Sequence, residues 1–276
     1  MSERELRAFH ASRAGATSRA FARTGSYAML ESVIVEALAR ADARNPPRVL
    51  DLACGDRPMH GAIGVDLSLE ELTVSSGLAC AQARAQALPF RDASFDACAC
   101  HLAFMLFDDI ERVVAELARV LVPGGVFVAL LGGGPAEPAM VLSDAPATSY
   151  RAQGTHAPDA PDAPDAPDAP GVPDAPDAFH RFLAIGAPHF LPKRFGDPRA
   201  NSERGWRELF AGWSEPRFDR VVLELGGTFD AAWVFLGASY QLDPAKADLV
   251  RDRLRAELGD RVTCKVACSI ATVTRR

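Results

Sequence analysis

The chain has 276 residues, 48% apolar and 24% charged, with a net charge of −6. That is enough apolar material for one large core, or a core with a cap. No apolar run reaches the roughly 20 residues of a membrane span, and the charged start MSERELRAFH lacks the apolar centre of a secretory signal, so a cytoplasmic protein away from membranes is expected.

The first 45 residues read as helices. Ser2 and Glu5 have capping-box spacing. Ser26 is placed to cap a helix whose apolar stripe is Leu30, Val33, Ile34, Ala37 and Leu38. The stretch NPP at 45–47 ends it. RVLDLA then reads as a buried strand, AIGVDL as a second, CAQARA as a weak third and SFDACACHLAF as a fourth. A clear helix follows, with Ile110, Val113, Val114, Leu117, Val120 and Leu121 on one face and Asp108 and Asp109 at its positive end. VPGG is expected to stop it before a fifth strand, VFVALLG. Strands alternating with helices argue for a parallel α/β sheet.

Residues 135–218 break this rhythm. Within them lies APDAPDAPDAPDAPGVPDAPDA at 157–178, a tract of period three. Every third residue lacks an N–H, so neither helix nor sheet can form, and a solvated loop is expected. Asp159, Asp162, Asp165, Asp168, Asp174 and Asp177 all belong to it; outside it the chain balances at 30 acids to 30 bases. No basic nucleic-acid footprint stands out. Further on, RVVLEL reads as a strand, Asp243-Pro244 starts the helix AKADLVRDRLRAEL, Gly259 stops it, and a last strand holds Cys264 and Cys268.

The six cysteines read as buried small apolar residues. Cys264 and Cys268 on one strand face would stand roughly 13 Å apart at about 3.3 Å per residue, too far to share a metal. Cys98 and Cys100 share a face, but no second ligand pair is evident. Nothing in the sequence calls for a metal.

Three stretches together carry a resemblance: VLDLACG (49–55), GVDLS (64–68) and ARAQALPFRDASFDACACHLAFMLFDDIERVVAELARVLVPGGVFVAL (83–130). They resemble the class I S-adenosylmethionine-dependent methyltransferases of the small-molecule, methyltransferase-11-like type. The Gly turn alone is a weak signal; LPF, SFD and RVLVPGG at these distances behind it make a specific one. The resemblance implies an α/β fold with a Rossmann-like, mostly parallel sheet, flanking helices, an N-terminal helical cap and an insertion after the fifth strand. It divides the chain into a cap at 1–45, a cofactor-binding core at 46–134, an insertion at 135–218 on the acceptor side and a C-terminal completion of the sheet at 219–276.

The same resemblance implies S-adenosylmethionine as cofactor and roles for matched positions. Asp51 and the backbone of Ala53, Cys54 and Gly55 would line the methionine portion. Asp66, with Leu67 beside it, would take the ribose hydroxyls, since a carboxylate can accept from both. Ala85 and Gln86 would flank the adenine, and His101 would face the transferable methyl group as a candidate catalytic residue. His10, Arg13, Tyr27 and His180 are candidate acceptor contacts, from the segment FHASRAGATSRAF and from 179–215. The reaction expected is methyl transfer to an O, N or S atom of a small metabolite.

Departures qualify the match. Ala53 and Arg57 stand where the family usually has Gly, and Arg84 stands where an acid often meets the adenine amino group. Gly55 to Asp66 is only 11 residues, against about 20 in a dinucleotide fold. Eight extended residues still reach about 26 Å, and a five-residue strand is about 17 Å long, so an irregular return fits where a multi-turn helix does not. The lost helix N-terminus would deprive the ligand carboxylate of donors, and Arg57 is placed to replace them. The uncovered sheet face would need the N-terminal helices or a second subunit, as in a homodimer. Two rival readings follow: a catalytically weakened or inactive methyltransferase-like binding protein, and a nicotinamide oxidoreductase, which the incomplete Gly fingerprint disfavours.

Overall fold

The computed structural model describes residues 3–39, 46–74, 79–136, 177–192 and 196–276. The N-terminal segment forms α1 (Glu3–Ala11), α2 (Ala16–Phe21) and α3 (Ser26–Ala39). The apolar stripe of α3 buries Leu30, Val33, Ile34 and Leu38. Ser26 caps nothing: it is the first helical residue, wholly buried, and its hydroxyl meets Nε2 of His101. Ser2, of the expected capping box, lies outside the described residues.

Seven strands make one sheet: β1 (Val49–Leu52), β2 (Ile63–Asp66), β3 (Cys80–Gln82), β4 (Phe95–His101), β5 (Leu121–Pro135), β6 (Arg217–Glu224) and β7 (Lys265–Thr274). Their spatial order is β3-β2-β1-β4-β5-β7-β6. The first five strands run parallel, and β7 is antiparallel to both β5 and β6. The order reverses between β1 and β4, which opens a crevice at the carboxyl ends of those strands. The fold expected from the sequence is therefore present. One element differs: VPGG does not separate helix from strand, because α5 (Ile110–Val120) runs directly into β5, with Gly124 at φ 80 inside the strand.

The return from β1 to β2 contains no helix. Cys54 N–H bonds the Val65 carbonyl, Met59 N–H bonds an Asp51 oxygen at 2.8 Å, and Met59 and Ala62 turn into the core. On this side of the sheet α3 packs on β4 and β5, and Met59 and Ala62 of the return join the same core. The close approach depends on Gly64. A Cβ there would lie 2.7 Å from Cys54 Sγ, 3.0 Å from Pro58 Cβ and 3.1 Å from Cys80 Sγ. Gly64→Ala is therefore expected to cost about 1–3 kcal/mol by overpacking, read as a lower denaturant midpoint; unchanged stability would show that the return segment yields.

The opposite sheet face packs α5 and α7 (Glu203–Leu209) over Phe104, Phe127, Trp206 and Phe210. A short α4 (Leu69–Val74) follows β2. On the α3 side, α6 (Ala178–Gly186), α8 (Phe229–Leu236) and α9 (Ala247–Leu258) complete the layer. Asp243 caps the turn before α9 through Ala245 N–H, as its sequence implied. Most of the Ala-Pro-Asp tract lies outside the described residues. Its last two residues depart from a solvated loop: Ala178 is buried, and Asp177 accepts from Phe179 and His180 N–H as the cap of α6 and from Lys265 N–H at 2.7 Å.

Candidate functional site

After β1 the chain turns through Ala53 at φ 57 and Gly55 at φ 59. Ala carries a Cβ into the left-handed region, at a cost of roughly 1–2 kcal/mol that Gly avoids. The turn aims Gly55 N–H at Asp66 Oδ2 (2.9 Å), while Ser68 N–H reaches Asp66 Oδ1 (2.8 Å). Asp66 thus ends β2 with both oxygens held and a lone pair left on each. Burial pushes its carboxyl up from the usual range, against which the two N–H bonds and the neighbouring His10 act.

Asp66 faces a cavity with about 1090 Å³ of free space, open to solvent, at the carboxyl ends of β1 to β4. Ala53, Cys54, Gly55, Leu67, Ala85 and Gln86 line it, as expected from the sequence. His10, Tyr27 and His101 line it too. Gln86 Nε2 is anchored on the Asp108 carbonyl at 2.6 Å.

Four expected contacts fall elsewhere. Arg57 is exposed and does not line the cavity; Asp56 does, with Ser18 Oγ donating to it at 2.9 Å. The irregular segment turns one neighbour inward and the other out. Arg13 stacks its guanidinium 4.4 Å over Phe9, outside the cavity. His180 sits on α6 beside Asp177, at 3.6 Å, and no described residue of 179–215 forms a cavity wall. Asp51 is buried behind the site, one oxygen on Met59 N–H and the other without a partner among the described residues.

Burial raises the Asp51 carboxyl to about 7, helped by Asp66 and opposed by the Met59 N–H. An unfolded aspartate loses its proton near pH 3.9, so between about pH 4 and 7 the folded chain holds a proton that the unfolded chain has lost. Stability from this group is full below the lower value and falls as pH rises through the upper one. Asp51→Asn, which keeps an acceptor for Met59, is expected to flatten the stability profile between pH 4 and 7 relative to wild type. Urea midpoints across that range test it; parallel profiles would sink the assignment.

His101 is enclosed rather than presented. Its ring stacks on Tyr27 at 4.0 Å and meets the Phe21 edge at 5.6 Å, and its Nε2 lies 2.8 Å from Ser26 Oγ. Nδ1 is buried without a partner among the described residues. Burial lowers the ring to about 4, so it is neutral at pH 7.

Two features escaped sequence reasoning. Glu71 Oε2 accepts from Gly15 N–H at 2.8 Å, and its Oε1 lies 3.2 Å from His10 Nδ1. His10 Nε2 is 3.0 Å from the Tyr240 hydroxyl. A carboxylate only accepts, so Nδ1 donates to Glu71, and Nε2 shares a hydrogen bond with the Tyr240 hydroxyl. Ser68 and Glu71 stand at capping-box spacing, a local signal for the start of α4; nothing local announces His10 or Tyr240 as partners. The second feature is Arg84, which pairs with Glu3 of α1 at 2.5 Å across the cavity mouth.

Residues 48–129 match the methyltransferase-domain family. The uncharacterized methyltransferase YcgJ of Bacillus subtilis is 32% identical over 117 residues, covering 36% of this chain and 46% of that protein. The demethylmenaquinone methyltransferase of Thermus thermophilus is 36% identical over 103 residues, 31% of this chain and 47% of its own length. The chain thus covers less than half the length of these two relatives. A solved structure from Anaeromyxobacter dehalogenans, described as a type II methyltransferase, covers 89% of this chain and 95% of its own at 19% identity and a TM-score of 0.54, a likeness of fold. The segment 48–129, with its Gly turn, its acid at the end of β2 and the strand order around them, is thus similar to the methyltransferase-domain family.

Proposed function

We propose that this chain binds S-adenosylmethionine in the cavity at Asp66 and transfers its methyl group to an O, N or S atom of a small metabolite. The observation that carries this reading is the Asp66 carboxylate, pinned by Gly55 and Ser68 N–H with lone pairs directed to remaining partners. That donor set fits the two hydroxyls of a ribose. Leu67, Ala85 and Gln86 would flank the adenine, and the Ala53–Gly55 backbone would approach the methionine portion. The cofactor, when bound, supplies a methyl group already activated by its sulfonium. The protein's part is then to align the acceptor and exclude water. The relative from Thermus thermophilus is named for a small acceptor, demethylmenaquinone, which supports the substrate class.

His101 is read as wall rather than base: Nε2 is engaged by Ser26, one ring face is stacked on Tyr27, and Phe21 makes an edge contact. With an acceptor found by screening labelled S-adenosylmethionine against small metabolites, His101→Gln is expected to keep turnover within about tenfold. A fall of 10²–10⁴-fold, the range of a lost general base, would restore it to the chemistry.

One observation favours a second reading, a binding protein with weak or no turnover. The cavity presents Asp56, not Arg57, beside the Gly turn, and the return after β1 holds no helix whose N-terminus could receive a carboxylate. Calorimetry with S-adenosylmethionine, S-adenosylhomocysteine, methylthioadenosine and NADH separates the readings. The methyltransferase reading expects the two full-length sulfur ligands to bind and NADH not to. Methylthioadenosine binding as tightly as S-adenosylhomocysteine would show that the methionine end is unread and favour the second. Absence of binding by all four would sink both.

A further inference from the structure

We propose that Cys54 and Cys80 are an oxidative cross-linking site beside the cofactor cavity. Gly64 is the reason the two thiols meet. Parallel pairing of β2 with β3 sets Cys80 opposite Gly64, and the short return from β1 brings Cys54 back over the same residue. The two sulfurs crowd the single carbon-sized space left by the missing Gly64 side chain, at 2.7 and 3.1 Å from a Cβ placed there. Both sulfurs thus lie within 3.1 Å of one point over Gly64.

Access singles out the pair. Cys80 is the only half-exposed thiol; Cys54, Cys98, Cys100, Cys264 and Cys268 are buried. A peroxide would meet Cys80 first, converting its thiol to a sulfenic acid and releasing water. The Cys54 sulfur then attacks the Cys80 sulfur, expelling hydroxide, which takes up the Cys54 proton to leave as water. The net result is a disulfide, two thiols oxidised and one peroxide reduced to two waters. Burial raises both thiols above their ordinary range, so the reaction is slow and needs sustained peroxide.

Closing the bond draws the sulfurs to about 2.05 Å. Cys54 must follow, and Gly55, whose N–H holds Asp66, is the next residue. Cofactor affinity should therefore fall at least tenfold in the oxidised chain and recover with dithiothreitol, a consequence that rests on the proposed function.

The full chain, reduced and then treated with hydrogen peroxide, is alkylated and digested. The expected product is a Cys54–Cys80 linked peptide with the chain two hydrogens lighter; Cys80→Ser should give no such link and keep its affinity for S-adenosylmethionine under peroxide. Sulfinic or sulfonic acid at Cys80 without a link, or a link between other cysteines, would overturn the proposal. Mass reports the link whether or not the cofactor binds. A reduced chain that binds no S-adenosylmethionine would therefore defeat the proposed function, not the cross-link.

Discussion

Asp66→Ala is expected to weaken S-adenosylmethionine binding at least tenfold in a chain that still folds. A hydrogen bond to a charged group contributes about 1.5–3 kcal/mol, and a ribose offers two. The substitution also strips the partners from Gly55 and Ser68 N–H, so the turn after β1 loosens and the loss is larger than the ribose bonds alone. Asp66→Asn is the discriminating control. It keeps one acceptor oxygen and the side-chain shape, and should fall between wild type and Asp66→Ala. Calorimetry gives the affinities and circular dichroism checks the fold. Unchanged affinity in Asp66→Ala would remove the residue from the site and with it the main support for the proposed function.

Trp206→Ala is expected to be the most destabilising of the substitutions considered. The indole is wholly buried. It stacks on Phe127 with ring centres 5.7 Å apart, touches Phe210 at 4.8 Å and Phe104 at 5.2 Å, and donates Nε1–H to the Ala200 carbonyl at 2.8 Å. Removing it opens a cavity costing about 3–5 kcal/mol and leaves Ala200 without that donor. At about 2–4 °C per kcal/mol for a chain of this size, melting should fall by roughly 6–20 °C. Trp206→Phe fills most of the space and should recover more than half of that. A loss under about 1 kcal/mol would mean that the aromatic layer closes over the gap.

Much of the sheet was legible because its information is local. The apolar runs at β1, β2, β4 and β5 and the helical stripe of α5 carry their own period, and a period survives whatever packs against it. Asp66 was legible for the same reason: its place after Gly64-Val65 fixes it at the end of β2, where the strand order opens the crevice. The length of the return between β1 and β2 settled that no multi-turn helix fits there, since reach depends only on residue count.

Tertiary structure alone decided which side chains enter the cavity. Arg57 and Asp56 are neighbours in an irregular segment; with no repeating geometry, nothing local says which one turns inward, and Asp56 does so against the Ser18 hydroxyl of α2. Asp51 stands next to Leu52, which lines the cavity, yet the Met59 N–H, seven residues beyond its strand, claimed it for the return segment. Glu71, His10 and Tyr240 are 61 and 230 residues apart along the chain. Their hydrogen bonds arise only when α1, α4 and the segment after α8 close around one crevice. Sequence by itself set the elements and the acid at the strand end, because backbone periodicity and reach are properties of a segment; the walls of the site were set by contacts between segments, which no segment encodes alone.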